Sequence, residues 1–249
     1  MLFQSTDRIY RANNPPRSLE KLFEKSQRRE LLFPADLVIP SPSGMVVLSQ
    51  QIDEDGLCEL TKGRVERGVQ AMGKETIADY LVMAERDMHT GKDLPLAREM
   101  WEYAFELGYP KKDRDGEPNI RFNTEDRATE TFLQLLRFVR DLALPRGWKS
   151  VGVCTDDYQL AKVAPFAELI VGNDLDLWYL MKDTSDIFTE QSAHEGVFTK
   201  QFDYANLAIK MHRGVRPGVG SHKEILRRLF SEHSRYKGKD PGKFITNLP

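Results

Sequence analysis

The stretch that most constrains the fold is 149–181, KSVGVCTDDYQLAKVAPFAELIVGNDLDLWYLM. Two short apolar runs, 150–154 and 167–171, flank a helical segment at 158–164. The dozen or so residues between the runs are about the minimum for a crossover between parallel strands. The spacing predicts a βαβ-like unit at 150–171. Asn173 or Asp174 would then cap a further helix over 175–181.

The rest of the chain predicts a helix-rich α/β or α+β protein with a small mixed sheet. Residues 7–12 read as a short strand, and Asn13-Asn14-Pro15-Pro16 breaks it before a helix over 17–26. Extended runs near 35–39 and 45–51 flank the turn Pro40-Ser41-Pro42-Ser43-Gly44, the pattern of an N-terminal β-hairpin. A weaker helical pattern covers 60–72. From Glu75, the spacing of Ile77, Leu81, Ala84 and Met88 predicts a helix that stops at Gly91. A second helix follows Asp93, with Ala97, Met100, Trp101, Ala104 and Phe105 on one face, so the two would form an αα-hairpin. Thr124 caps a third helix, whose face runs from Ala128 to Leu142 and which Pro145 and Gly147 close. The segment 204–211 fits strand or helix. Ser221 with Glu224 makes a capping box ahead of Ile225, Leu226, Leu229 and Phe230.

A chain of 249 residues is long enough for a real core. It reads as one domain, 1–249, with an N-terminal subregion at 1–60, a helical middle at 75–144 and a basic C-terminal segment at 200–249. Residues 200–249 hold 11 Lys and Arg against 4 Asp and Glu, whereas 1–199 hold 25 against 34. Such asymmetry points to a polyanion-binding end, or to ends that attract each other within or between subunits. Two cysteines, Cys58 and Cys154, are too few for a disulfide framework, and Cys154 reads as a reduced core thiol. No basic-then-apolar leader opens the sequence, and no apolar run approaches the roughly 20 residues that cross a bilayer. The expected setting is the cytoplasm, or host cytoplasm or virion for a viral protein, with no membrane partner.

Three function classes follow from the residues. The first is a non-enzymatic subunit of a larger assembly, phage, viral or defence-related. It would form a homo-oligomer or join other protein subunits, and its basic end would meet nucleic acid or a neighbouring subunit. Arg213, Arg216, Lys223, Arg227, Arg228, Arg235 and Lys237 are the candidate anion contacts, with Tyr236 and Phe244 interleaved. Such charges neutralise phosphates, and such aromatics stack on bases. The alternative for this segment is a solvated helix face and a tail docked on the body.

The second class is an Mg²⁺- or Mn²⁺-dependent enzyme acting on nucleotides or nucleic acid. Asp156, Asp157, Asp174 and Asp176 follow the two apolar runs. If those runs are parallel neighbours, the four carboxylates leave the same sheet edge, where open α/β sheets bind ligands. Hard divalent ions take such oxygen ligands, so Asp156, Asp174 and Asp176 are the candidate metal residues. The competing reading makes the same aspartates helix caps. Histidine is sparse and has no metal-ligand spacing, and neither a Gly-x-Ser-x-Gly elbow nor a Walker loop occurs.

The third class rests on IYRANNPP at 9–16. It is similar to the first strand of cholera- and pertussis-toxin-like ADP-ribosyltransferases, where an aromatic–Arg pair precedes a proline-containing turn. The resemblance implies an NAD-dependent transferase in which Arg11 holds the NAD phosphates. That family's Ser-Thr-Ser strand has only Val46-Val47-Leu48-Ser49 as a counterpart, and its Glu-x-Glu or Gln-x-Glu turn has none.

Overall fold

The computed structural model describes residues 8–11, 44–48, 52–53, 56–74, 80–84, 96–109, 131–172, 174–182, 215–233 and 236–244. Strand β6 (Ser150–Asp156) lies at its centre, and every residue in it is buried. A strand covered on both faces needs a continuous apolar run rather than an alternation, and Val151-Gly152-Val153-Cys154 supplies one. Strand β7 (Asp176–Lys182) pairs with β6 in parallel, Asp176 opposite Ser150 and Lys182 opposite Asp156. On the other side, β2 (Gly44–Leu48) pairs in parallel with β6, and β5 (Tyr80–Ala84) in parallel with β2. Strand β1 (Arg8–Arg11) runs antiparallel along β7, which gives the order β1-β7-β6-β2-β5. A separate two-stranded ribbon joins β3 (Ile52–Asp53) to β4 (Gly56–Leu57).

Five α-helices cover the sheet among the described residues. One face meets α1 (Glu59–Lys74) and α2 (Leu96–Glu106), where Val65, Ala97, Met100, Trp101 and Ala104 pack on Met45, Val47, Cys154 and Leu180. The other meets α3 (Thr131–Arg137), α4 (Asp157–Val171) and α5 (His222–Glu232), packed on Val46, Leu48, Val151, Val153, Leu177 and Tyr179. The sheet residues alternate between the two cores, as the pleat requires. Helix α3 continues as a π-helical turn, Phe138–Ala143.

The connections run opposite ways from the centre. Helix α1 lies between β2 and β5 in the chain, and α4 lies between β6 and β7. The strand order therefore reverses between β2 and β6, and the carboxyl ends there are Leu48 and Asp156.

The expected α/β class and βαβ-like unit are present, with two shifts in the unit's elements. Residues 167–171 are the end of α4, not a strand, because the helix runs on through Pro165. A mid-helix proline removes one hydrogen bond and costs ~3 kcal/mol. Burial of Phe166, Ala167, Leu169, Ile170 and Val171 offsets it. The second strand is instead 176–182, where a helix was expected. Its Leu177, Trp178, Tyr179 and Leu180 are all buried, the pattern of a strand covered on both faces.

The apolar run Tyr80–Ala84 is strand β5, so no αα-hairpin forms with α2. The 60–72 helix is present as α1, and the helix after Asp93 as α2. Of the expected hairpin, 35–39 lies outside the described residues, while Gly44–Leu48 is flanked in parallel by β5 and β6. Residues 17–26 and 204–211 also lie outside them. No helix among the described residues is long and apolar enough to cross a membrane.

Candidate functional site

The carboxyl edge of the sheet, at the reversal between β2 and β6, carries a buried ion pair. Asp156 ends β6 and caps α4, its Oδ1 accepting the Gln159 N–H at 2.7 Å. Its Oδ2 accepts from Arg64 Nε at 2.6 Å, and Arg64 Nη2 also contacts it. The Arg64 Nη1 donates to the Leu48 carbonyl at 3.0 Å. One guanidinium on α1 thus joins the ends of both strands at the switch point. Both side chains are 0% exposed.

A buried guanidinium keeps its charge, so it needs a carboxylate and further acceptors around it. Asp156 and Leu48 supply them. Arg67, one turn further along α1, is also buried. Gly63 shares a helix face with Arg67 by its spacing of four. The stem of Lys182 runs past Gly63, with Cγ 3.3 Å from where a Cβ would stand. Lys182 is half-buried at the end of β7. Arg64 and Lys182 therefore both lie where an open parallel sheet holds its ligands, with Arg67 one turn further along α1.

The other aspartates lie elsewhere. Asp176 begins β7 opposite Ser150, six residues from the Asp156–Lys182 pair along the ladder, about 20 Å at ~3.3 Å per residue. Asp174 is exposed and accepts the Val219 N–H at 2.6 Å. It caps the turn before α5 rather than a helix of its own. The two apolar runs do not end on one edge, because the second strand starts at Asp176 rather than ending before Asp174. Asp156 is thus not brought together with Asp174 and Asp176. The Asp157 side chain lies outside the described residues. Among the described residues no three His, Cys, Asp or Glu are grouped to hold a metal ion.

In the basic segment, Arg213 and Arg235 lie outside the described residues, and Arg216, Lys223 and Lys237 are exposed. Arg227 makes two hydrogen bonds to Glu224, at 2.7 and 2.8 Å, and Arg228 makes one at 2.7 Å. These bonds, Arg227's first, hold the Glu224 carboxyl down at about 2. Glu224 therefore faces the arginines and does not complete a capping box. The Ser221 Oγ donates to Gly218 O at 2.6 Å.

The interleaved aromatics are built into the body. Tyr236 is buried against Phe230 and Phe244, and Lys239 lies 5.8 Å from the Tyr236 ring centre. Arg11 lies opposite Trp178 on the outer strand, four ladder positions short of Lys182. Cys154 is buried and Cys58 half-buried, with no disulfide between them.

Sequence reasoning missed Lys182 at the end of β7, and on α1 it missed Arg64 and Arg67. Their helix is weakly patterned because its buried face is Thr61, Arg64, Val65, Arg67 and Gly68, largely polar. The usable signal was the 3.6-residue repeat of those positions, not their hydrophobicity. Comparison with protein-family models, with curated proteins and with solved structures finds no match.

Proposed function

We propose that this protein binds a small phosphate-bearing ligand at the carboxyl edge of its parallel sheet. The supporting observation is Arg64, which joins the ends of β2 and β6 where the strand order reverses. The Lys182 ammonium beside that edge suits phosphate as a point charge. In this reading the Arg64–Asp156 pair is the floor that positions the edge. Lys182, half-buried at the end of β7, is the ligand contact. Calorimetric titration with inorganic phosphate, AMP and NAD tests it. At least one probe is expected to bind, with Kd raised tenfold or more in Lys182→Ala. No binding by any probe, or equal binding by that variant, overturns the proposal.

A second reading keeps the basic C-terminal segment as a contact for nucleic acid or a neighbouring subunit. The exposed cations Arg216, Lys223, Arg227, Lys237, Lys239 and Lys243 favour it. Its contacts would be phosphates rather than stacked bases, given the internal packing of Tyr236 and Phe244. A duplex DNA titration that shows no salt-dependent binding removes the nucleic-acid form. Light scattering that gives a strict monomer removes the subunit form.

A further inference from the structure

The seat of α5 on the end of α4 is built around a buried imidazole. His222, the first residue of α5, is 0% exposed, and its Nε2 lies 2.8 Å from the Ile170 carbonyl. A carbonyl only accepts, so Nε2 carries the hydrogen and the neutral ring leaves Nδ1 as a lone pair. Nδ1 has no hydrogen-bond partner among the described residues. The same seat is closed by Gly218, whose N–H donates to Leu169 O at 2.9 Å. Gly172, at φ 58°, lies so close that a Cβ on it would stand 2.6 Å from Gly218. The Val219 N–H on Asp174 completes it.

Charged groups act electrostatically on the ring from two other elements. Arg140 comes from the π-helical turn after α3, and Asp174 from the turn after α4. Helix α4 itself presents the carbonyls of Leu169 and Ile170. The ring also stands at the N-terminus of its own helix, where the dipole disfavours a cation. A second ring proton would thus meet a helix N-terminus and Arg140, with no acceptor for Nδ1–H among the described residues and only the Ile170 bond and Asp174 in its favour.

We propose that His222 is an acid-sensitive latch: α5 stays seated on α4 only while the imidazole is neutral, and protonation releases it. Burial first, then Arg140, pulls the His222 pKa below its usual value, while the Ile170 bond and Asp174 oppose them. A group whose pKa is lowered in the seated state weakens that state as pH falls below its free value, about 6.5. The segment 236–244 moves with α5, because Gly238 N–H donates to Phe230 O and the Phe244 ring packs tilted against Phe230, 5.6 Å between centres. Release frees Lys223, Arg227, Lys237 and Lys239 from the body together. It also uncovers Ile225, Leu226, Leu229 and Phe230.

Hydrogen exchange of the α5 amides in the full chain, corrected for intrinsic rate and referenced to β6, tests the latch between pH 8 and 4.5. In the wild type, α5 opening is expected to rise about tenfold per pH unit below ~6.5 until the seated ring protonates. In His222→Gln, which can donate to Ile170 but not titrate, the profile is expected to be flat. Identical profiles in the two proteins overturn the latch. If the variant does not fold, NMR titration of the wild-type imidazole decides. A lowered pKa reached together with α5 opening supports the latch, and titration without coincident opening overturns it.

Discussion

The two ends of the parallel sheet use aspartate in opposite ways. At the carboxyl end, Asp156 is fully buried, caps α4 and neutralises Arg64. At the amino end, Asp174 is exposed and holds one backbone N–H of a turn. The residue type is the same, and burial decides its work. In water a carboxylate can serve as a simple cap. Out of water it requires a cation, and the pair then fixes the elements it joins. The Asp156–Arg64 pair spans β2, β6, α1 and α4, whereas the Asp174 bond ties one turn to another.

The sharpest way to break this contrast is Arg64→Leu. It leaves a buried carboxylate without its cation and is expected to cost about 3–5 kcal/mol in urea unfolding. A loss below about 1 kcal/mol would make the two ends equivalent.

A third carboxyl shows what burial does without a cation. Glu168 on α4 has its Oε2 buried without a hydrogen-bond partner among the described residues. Burial pushes its pKa up to about 8. With a folded pKa above the unfolded value, its stabilisation is complete below about 4.5. It is lost as pH rises through about 8. Wild-type stability is therefore expected to fall by a few kcal/mol as pH climbs to 9, at about 1.4 kcal/mol per pH unit between those two values. Glu168→Gln is expected to flatten that slope in unfolding titrations at pH 6 and 9. Equal slopes would mean the carboxyl is not shielded from water.

The smallest effects belong to the amino end. Removing the cap with Asp174→Ala is expected to cost about 1 kcal/mol, and Asp176→Asn at most about 0.5 kcal/mol. Thermal unfolding of both variants beside Arg64→Leu ranks the two ends directly.

How much of this was legible in the sequence depends on what each signal reports. Strand β6 was legible because Val151–Cys154 is apolar and short. The partner strand was not, because Ala167–Val171 and Leu177–Leu180 are equally apolar and only tertiary packing separates helix from strand. The run Ile77 to Met88 satisfied a helical spacing that Tyr80–Ala84, as a strand, also satisfies by chance. Asp156 was legible as a candidate at the carboxyl edge. Its partner Arg64 was not, since an arginine on a helix reads as solvated until the fold buries it. Tyr236 stands among basic residues, as a base-stacking ring does, and its burial against Phe230 and Phe244 follows from how the segment after α5 folds back on that helix.

The proposed ligand site is the carboxyl edge at the β2–β6 reversal. Amide NMR of the uniformly labelled chain, titrated with the best-binding phosphate probe, tests it most directly. Shifts concentrated at Leu48, Arg64, Arg67, Thr155 to Gln159 and Lys182 are expected. Shifts confined to Arg216–Arg228 or to the Asp174–Asp176 end, or none at saturating probe, would contradict it.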